Sequence, residues 1–181
     1  MAAEAVKPWW RETIETIVWA FILAMIIRTF IVQAFWIPSG SMIPTLEVND
    51  RVLVAKFWNW FFEPSRGSLY VFKYPMDPDR DFVKRVIAVP GDIVDIKDGV
   101  VYINGKPIQE DYVTHHDRYT MRANRFFPEV PFKVPEKKYF MLGDNRSNSQ
   151  DSRYWGYAEL KDMRGPVFFR YWPLNRIGIP K

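Results

Sequence analysis

The 181 residues carry 25 lysines and arginines against 21 aspartates and glutamates, a net charge of +4, and no cysteine. That excludes a thiol nucleophile, a disulfide framework and a zinc–thiolate site, and the scattered basic residues form no run of the kind that grips nucleic acid. With 25% charged and 48% hydrophobic residues, the chain is neither a disordered acidic polymer nor a many-span membrane protein, and it has length for a short anchor plus one domain.

The N-terminus is the most apolar part. Ile17 to Ile27 is an unbroken run of 11 apolar residues, and Phe30 to Ile37 extends it past Gln33. A helix over residues 17–37 would be roughly 30 Å long, the thickness of a bilayer's hydrocarbon core. Arg28 interrupts the run, so the span is placed over residues 13–36, which puts Arg28 at the outer headgroups where its stem can snorkel. Trp9 and Trp10 before it, and Phe35 and Trp36 after it, suit the two interfaces, and Lys7 and Arg11 point to a short cytoplasmic segment over residues 1–12. A cleavable leader ending at the small-residue site VQA (32–34) and an interfacial helix are the other readings; the length favours an uncleaved anchor.

Beyond residue 37 the apolar runs become short and β-branched: RVLVAKF (51–57), SLYVFKY (68–74), DFVKRVIAV (81–89) and DIVDIK (92–97). Asp98-Gly99 and Asn104-Gly105 flank VVYI (100–103), the signature of two tight hairpins in succession. KYFML (138–142) and PVFFRYW (166–172) add two strands, and residues 109–137, polar and proline-containing, read as an insertion or long loop. The expectation is a mostly β domain over residues 37–181, antiparallel strands in a barrel-like or sandwich arrangement, behind one transmembrane helix. Between the first two strands, Phe57, Trp58, Trp60, Phe61 and Phe62 crowd together. They either cover one end of the barrel or dip into lipid headgroups, where tryptophan is at home.

Three stretches carry chemistry. IPSGSMIPTL (37–46) places Ser39 and Ser41 on either side of Gly40. In an extended segment both hydroxyls face one side, so one could attack a carbonyl while the other donates to the developing oxyanion; an ordinary capped turn is the plainer alternative. A serine nucleophile needs a base. His115 and His116 fall in the polar insertion, whereas Lys84 leaves its strand between Phe82 and Val86, where lost hydration would favour the neutral amine. A snorkelling surface lysine is the competing reading. GDNRSNSQDSR (143–153) is dense in hydrogen-bonding groups, and Asp144, Arg146, Asp151 and Arg153 could fix the loop as a charge network. A calcium loop built from its Asp and Asn oxygens is disfavoured by the two arginines, so no metal and no cofactor is expected.

In this order behind an anchor, PSGSMIPTL (38–46), DFVKRVIAVPGD (81–92) and GDNRSNSQDSR (143–153) resemble the bacterial type I signal peptidases, and RGSLYVFKYP (66–75) resembles a fourth box of that family. The resemblance covers essentially the whole chain. It implies a membrane-anchored serine endopeptidase with Ser41 as nucleophile and Lys84 as general base. Ser39 would serve the oxyanion hole, Ser149 would orient the lysine, and Asp151 and Arg153 would form a supporting ion pair. Ile37, Pro38, Met42, Leu46 and Val83 would wall shallow pockets for small residues at positions −1 and −3 of a signal peptide. The partners implied are signal peptides of exported proteins and membrane lipid, with no nucleic acid. The location implied is the cell membrane, single-pass, with a cytoplasmic N-terminus and an extracytoplasmic catalytic domain. Ser147 and Ser68 stand where the family usually has acids. A self-cleaving Ser–Lys repressor would need a DNA-binding module in place of the anchor, and a membrane-anchored β-domain that only binds partners would carry the same residues inert.

Overall fold

The computed structural model describes residues 9–114 and 117–180, so Lys7, His115 and His116 lie outside the described residues. Helix α1 (Trp9–Ile26) runs into a five-residue π-helical turn, Ile27–Ile31. Together they make a 23-residue helix, Trp9–Ile31, long and apolar enough to cross a membrane, with none of its most apolar window buried against the rest of the chain. Arg28 lies in its final turn. The helix overlaps the expected anchor over residues 13–36, and the last five residues of that range form strand β1 (Val32–Trp36). β1 pairs antiparallel with β2 (Arg51–Ala55), Val32 opposite Ala55 and Trp36 opposite Arg51. Beside the edge of β2, the β-branched and aromatic residues of β1 satisfy their backbone in a ladder instead of a helix.

Strands β3 (Leu69–Tyr74), β4 (Asp77–Ala88), β5 (Ile93–Lys97), β6 (Val100–Ile103), β7 (Lys106–Pro107), β8 (Phe132–Lys133) and β9 (Lys138–Leu142) follow, then a one-turn helix α2 (Ser152–Trp155) and strands β10 (Ala158–Glu159) and β11 (Met163–Trp172). They form a seven-stranded sheet, β1-β2-β11-β3-β4-β9-β10, and a four-stranded sheet, β7-β6-β5-β8. Every pairing is antiparallel. The hairpin signals hold: β5 turns into β6 through Asp98-Gly99, and β6 into β7 through Asn104-Gly105, with Asp98 and Asn104 both at positive φ.

The large sheet is covered on both faces. Tyr70, Phe72 and Tyr74 of β3 pack in one cluster with Val86, Met141 and Trp155, while Leu69 and Val71 pack in another with Met42, Leu46, Val52 and Val54. That double burial explains why β3 reads as a nearly continuous apolar run, and each such side chain contributes about 1.5–3 kcal/mol. A third cluster joins the two sheets, Ile87, Phe140 and Leu142 meeting Val94, Ile96, Val101 and Ile103. Residues 109–137 are largely irregular, yet Met121, Phe127, Phe132 and Val134 enter that same cluster. The segment is an integral wall of the domain.

The aromatic run after β2 does not finish the core. The chain turns into a 3-10 helix, Lys56–Trp60, and Trp58 is 40% exposed, Trp60 63%, Phe61 71% and Phe62 54%. Only Phe57 is half-buried.

Gly99 shows how closely the insertion is laid on the hairpins. Its φ is +79°, a Cβ there would come within 1.9 Å of the Asp117 carbonyl oxygen, and its N–H donates to Tyr119 O. Gly99→Ala is expected to lower stability by about 1–3 kcal/mol, the cost of backbone strain added to a clash with main chain. Urea unfolding of the wild type and variant measures it; an unchanged midpoint refutes the packing described.

Candidate active site

Ser41 sits in a single 3-10 turn, Gly40–Met42, preceded by Ser39 in extended conformation. The two serines are thus not neighbours on one strand face, as the extended reading supposed; a turn brings the chain round between them. Met42 and Leu46, both 0% exposed, fasten this turn to the core, and Leu46 N donates to Met42 O. They lie behind the serine, in the cluster with Val52 and Val54.

Lys84 comes from β4, opposite Tyr70 of β3, and is 3% exposed. Its Nζ donates to Ser41 Oγ at 2.5 Å and lies 5.6 Å from the centre of the Phe82 ring. Burial pulls the lysine down from 10.5 to about 8; Asp151 and Asp144 oppose that shift and Arg153 assists it. Desolvation wins because an ammonium that loses water is destabilised more than two carboxylates, each already bound to an arginine, can restore. A neutral amine within hydrogen-bond reach of a hydroxyl is a base beside a nucleophile.

The loop after β9 holds both partners in place. Asn145 N donates to Ser41 O and its Nδ2 to Gly40 O, both at 3.1 Å. Asp144 accepts from Thr45 Oγ1 at 2.6 Å and, through both oxygens, from Arg85 at 2.9 and 2.6 Å. Asp151 accepts from Arg153 Nε at 2.8 Å and from Gly143 N at 3.2 Å. Gly143 has no room for a side chain: a Cβ would meet Ser149 Oγ at 2.1 Å and Ser41 O at 2.5 Å. Ser149 Oγ is itself buried with no hydrogen-bond partner among the described residues.

Two further carboxylates, which sequence reasoning missed, come from the 109–137 segment. Glu110 pairs with Arg146, and Asp117 pairs with Arg153 at 2.6 Å. Tyr112 donates to Glu110 at 2.8 Å, and its ring lies 3.8 Å from the Arg85 guanidinium. No motif marks Glu110 or Asp117; the one signal available was that Arg146 and Arg153 outnumber local partners once Asp144 has been taken by Arg85. Ser147 and Ser68 are the two departures from the resembled pattern: Ser147 is exposed and donates to Asn145 Oδ1, and Ser68 donates to Ser65 O. Both stand outside the buried charge network.

A cleft of about 520 Å³ opens over the pair. Ser39, Ser41 and Lys84 line it with Ile37, Pro38 and Val83, all named from the sequence. Phe35, Trp36, Val71 and Phe82 complete its apolar wall, and Arg80, Asp81, Asn148 and Gln150 its polar rim. Met42 and Leu46 are not among the lining residues, being spent on the core behind the turn. Among the described residues no cluster of His, Asp or Glu could hold a metal ion.

Residues 10–172 match the family described as signal peptidase, peptidase S26. Over 176 residues the chain is 42% identical to the probable signal peptidase I-2 of Synechocystis sp., an alignment covering 94% of this chain and 77% of that one. It is 36% identical over 172 residues to signal peptidase I S of Bacillus subtilis, covering 92% and 91% of the two. A crystal structure of a signal peptidase I from Enterococcus faecalis superposes with a TM-score of 0.51 at 31% identity, over 58% of this chain and 97% of the other.

Asp144 tests whether the loop is held by charge. Asp144→Ala strands the Arg85 guanidinium, whose side chain is 5% exposed, and removing one partner of a buried pair typically costs about 3–5 kcal/mol. The expected result is a loss of that size in chemical denaturation, partly recovered in the Asp144→Ala/Arg85→Met double variant; a loss under about 1 kcal/mol, the worth of a surface pair, would contradict it.

Proposed function

Because the chain belongs to the signal peptidase family, peptidase S26, we propose that it removes N-terminal signal peptides from exported proteins with a dyad of Ser41 and Lys84. It is a membrane-anchored serine endopeptidase. The observation that carries the proposed roles is the 2.5 Å contact between Ser41 Oγ and a lysine whose burial lowers it to about 8.

In the proposed reaction Ser41 Oγ attacks the carbonyl carbon of the scissile peptide while neutral Lys84 takes its proton. The oxyanion accepts hydrogen bonds from the Ser41 backbone N–H and the Ser39 hydroxyl. As the intermediate collapses, the Lys84 ammonium returns the proton to the leaving amine, and the signal peptide stays on Ser41 as an ester. Lys84 then deprotonates a water that attacks the ester, and Ser41 is regenerated. The Ser149 hydroxyl, without a hydrogen-bond partner among the described residues, is suited to receive the ammonium and turn it between nucleophile and leaving group. Asp151 and Arg153 hold that serine's loop. Ile37, Pro38 and Val83 leave shallow apolar pockets for small residues at −1 and −3, with Met42 and Leu46 supporting the wall from behind.

The proposed setting is the cell membrane, crossed once, with the N-terminus cytoplasmic and the β-domain outside. The exposed Trp58, Trp60, Phe61 and Phe62 then lie in the headgroup region. One contact and one continuity support this placement: Lys56 Nζ donates to Thr29 O in the last turn of the span at 2.7 Å, and β1 begins at the residue after that helix.

Cleavage of a synthetic signal peptide by the purified protein tests the dyad. Ser41→Ala and Lys84→Met should each lower kcat by roughly 10⁴- to 10⁶-fold, with the double variant no slower than either, since the two act as one unit. Turnover by folded Lys84→Met at even a hundredth of the wild-type rate would overturn the assignment, and would favour a chain whose serines and lysine are inert to catalysis only if Ser41→Ala were equally active.

The pH profile tests the base separately. Burial disfavours the charged amine, so the active neutral form gains population as pH rises through about 8. kcat/KM should rise through that pH and level off above it. A rise that continues to the ordinary lysine value of about 10.4 would show that the base is not desolvated.

A further inference from the structure

Beside the span the domain has a second kind of concavity, which the proposed chemistry leaves unused. A cavity of about 340 Å³ is walled by Ala55, Phe57, Trp58, Tyr70, Pro166 and Phe168. Its position follows from pairing: Ala55 is the cross-strand partner of Val32, the first strand residue after the helix. The cavity therefore starts about 4.8 Å, one strand spacing, from the point where the chain leaves the span. Trp58 and Phe168, each 40% exposed, stand at its rim, next to the exposed Trp60, Phe61 and Phe62.

The lining specifies the ligand chemistry. It is hydrocarbon and aromatic apart from the hydroxyls of Ser65, at its exposed edge, Ser68 and Tyr70, of which Tyr70 is 1% exposed. The complement is a slender apolar chain. A peptide helix is too thick, since one turn with its side chains occupies roughly 400 Å³, more than the whole cavity.

We propose that this cavity takes the terminal part of one acyl chain of a membrane glycerophospholipid, which enters past Trp58 and Phe168 and lies against Phe57 and the Tyr70 ring. The proposal rests on the reading that the domain lies against the bilayer beside its own span. Tyr70 also pairs directly with Lys84 across β3 and β4, so a seated lipid fixes the strand pair carrying the base relative to the membrane surface.

The test uses the full chain in vesicles of phosphatidylethanolamine and phosphatidylglycerol containing a trace of phosphatidylcholine with a diazirine in one acyl chain. After photolysis, adducts are mapped by mass spectrometry. A lipid merely touching the surface cannot reach Tyr70, so the expected result is an adduct on Tyr70 as well as on Trp58. Two blocking variants, Ser65→Trp on the exposed edge of the cavity and Ala55→Phe in its wall, should lose the Tyr70 adduct while adducts on Trp60 and Phe61 remain. Urea unfolding at the wild-type midpoint shows that Ser65→Trp is folded, so the result stands even if Ala55→Phe does not fold. Adducts on Trp60, Phe61 and Phe62 with Tyr70 unlabelled overturn the lipid site but leave the membrane-facing reading intact. No adduct outside the span overturns both. A Tyr70 adduct that persists in folded Ser65→Trp, or one displaced by a signal peptide whose own photo-leucine then labels Tyr70, overturns the lipid assignment.

Discussion

A lysine can serve as a base near neutral pH only where water is kept from its ammonium, and the surroundings of Lys84 meet that condition for the role proposed for it. The amine leaves a strand of a sheet covered on both faces, with Phe82 beside it and the Ser41 turn in front. The turn can stand there only because Met42 and Leu46 are sunk in the core behind it. The same packing that stabilises the domain therefore sets the chemistry: exposing one side of Lys84 would rehydrate the ammonium and return the proton affinity to that of an ordinary lysine.

Burying a positive charge is expensive, and the loop over residues 143–153 limits how far the shift goes. Arg85, Arg146 and Arg153 are met by Asp144, Glu110, Asp151 and Asp117, and nearly all of these groups are withdrawn from water. Such pairs contribute little net stability, because the lost hydration offsets the attraction. Their effect is geometric and electrostatic. They fix a loop that otherwise consists of turn formers, bring Asn145 onto the serine turn, and set two carboxylates against one arginine in the field at Lys84.

The domain also has a defined relation to its helix. Trp9–Ile31 is followed without a linker by β1, so the last helical turn and the first sheet strand are mechanically continuous. Lys56 ties the exposed aromatic turn to Thr29 at the same level. Phe35 of β1 and Ser41 both line the cleft. The cleft thus begins within a few residues of the end of the apolar helix.

Much of this was legible in the amino-acid order. β-branched runs and the two Xaa-Gly turns placed the strands and hairpins, because period and turn chemistry are local properties of backbone and side chain. Three motifs in sequence marked Ser41, Lys84 and the Asp151–Arg153 pair. Tertiary structure alone decided the rest. Residues 43 positions apart meet at 2.5 Å only because β4 passes beside the serine turn. Glu110 and Asp117, in a segment with no pattern of its own, became arginine partners because the segment is laid over the loop. Val32–Trp36 carries a helix-compatible apolar composition, but the open edge of β2 made it a strand. The aromatics at 58–62 could have gone inward or outward, and the 3-10 turn sent them outward. Composition specifies that a side chain is apolar or charged; which surface it meets depends on what the rest of the chain brings to it.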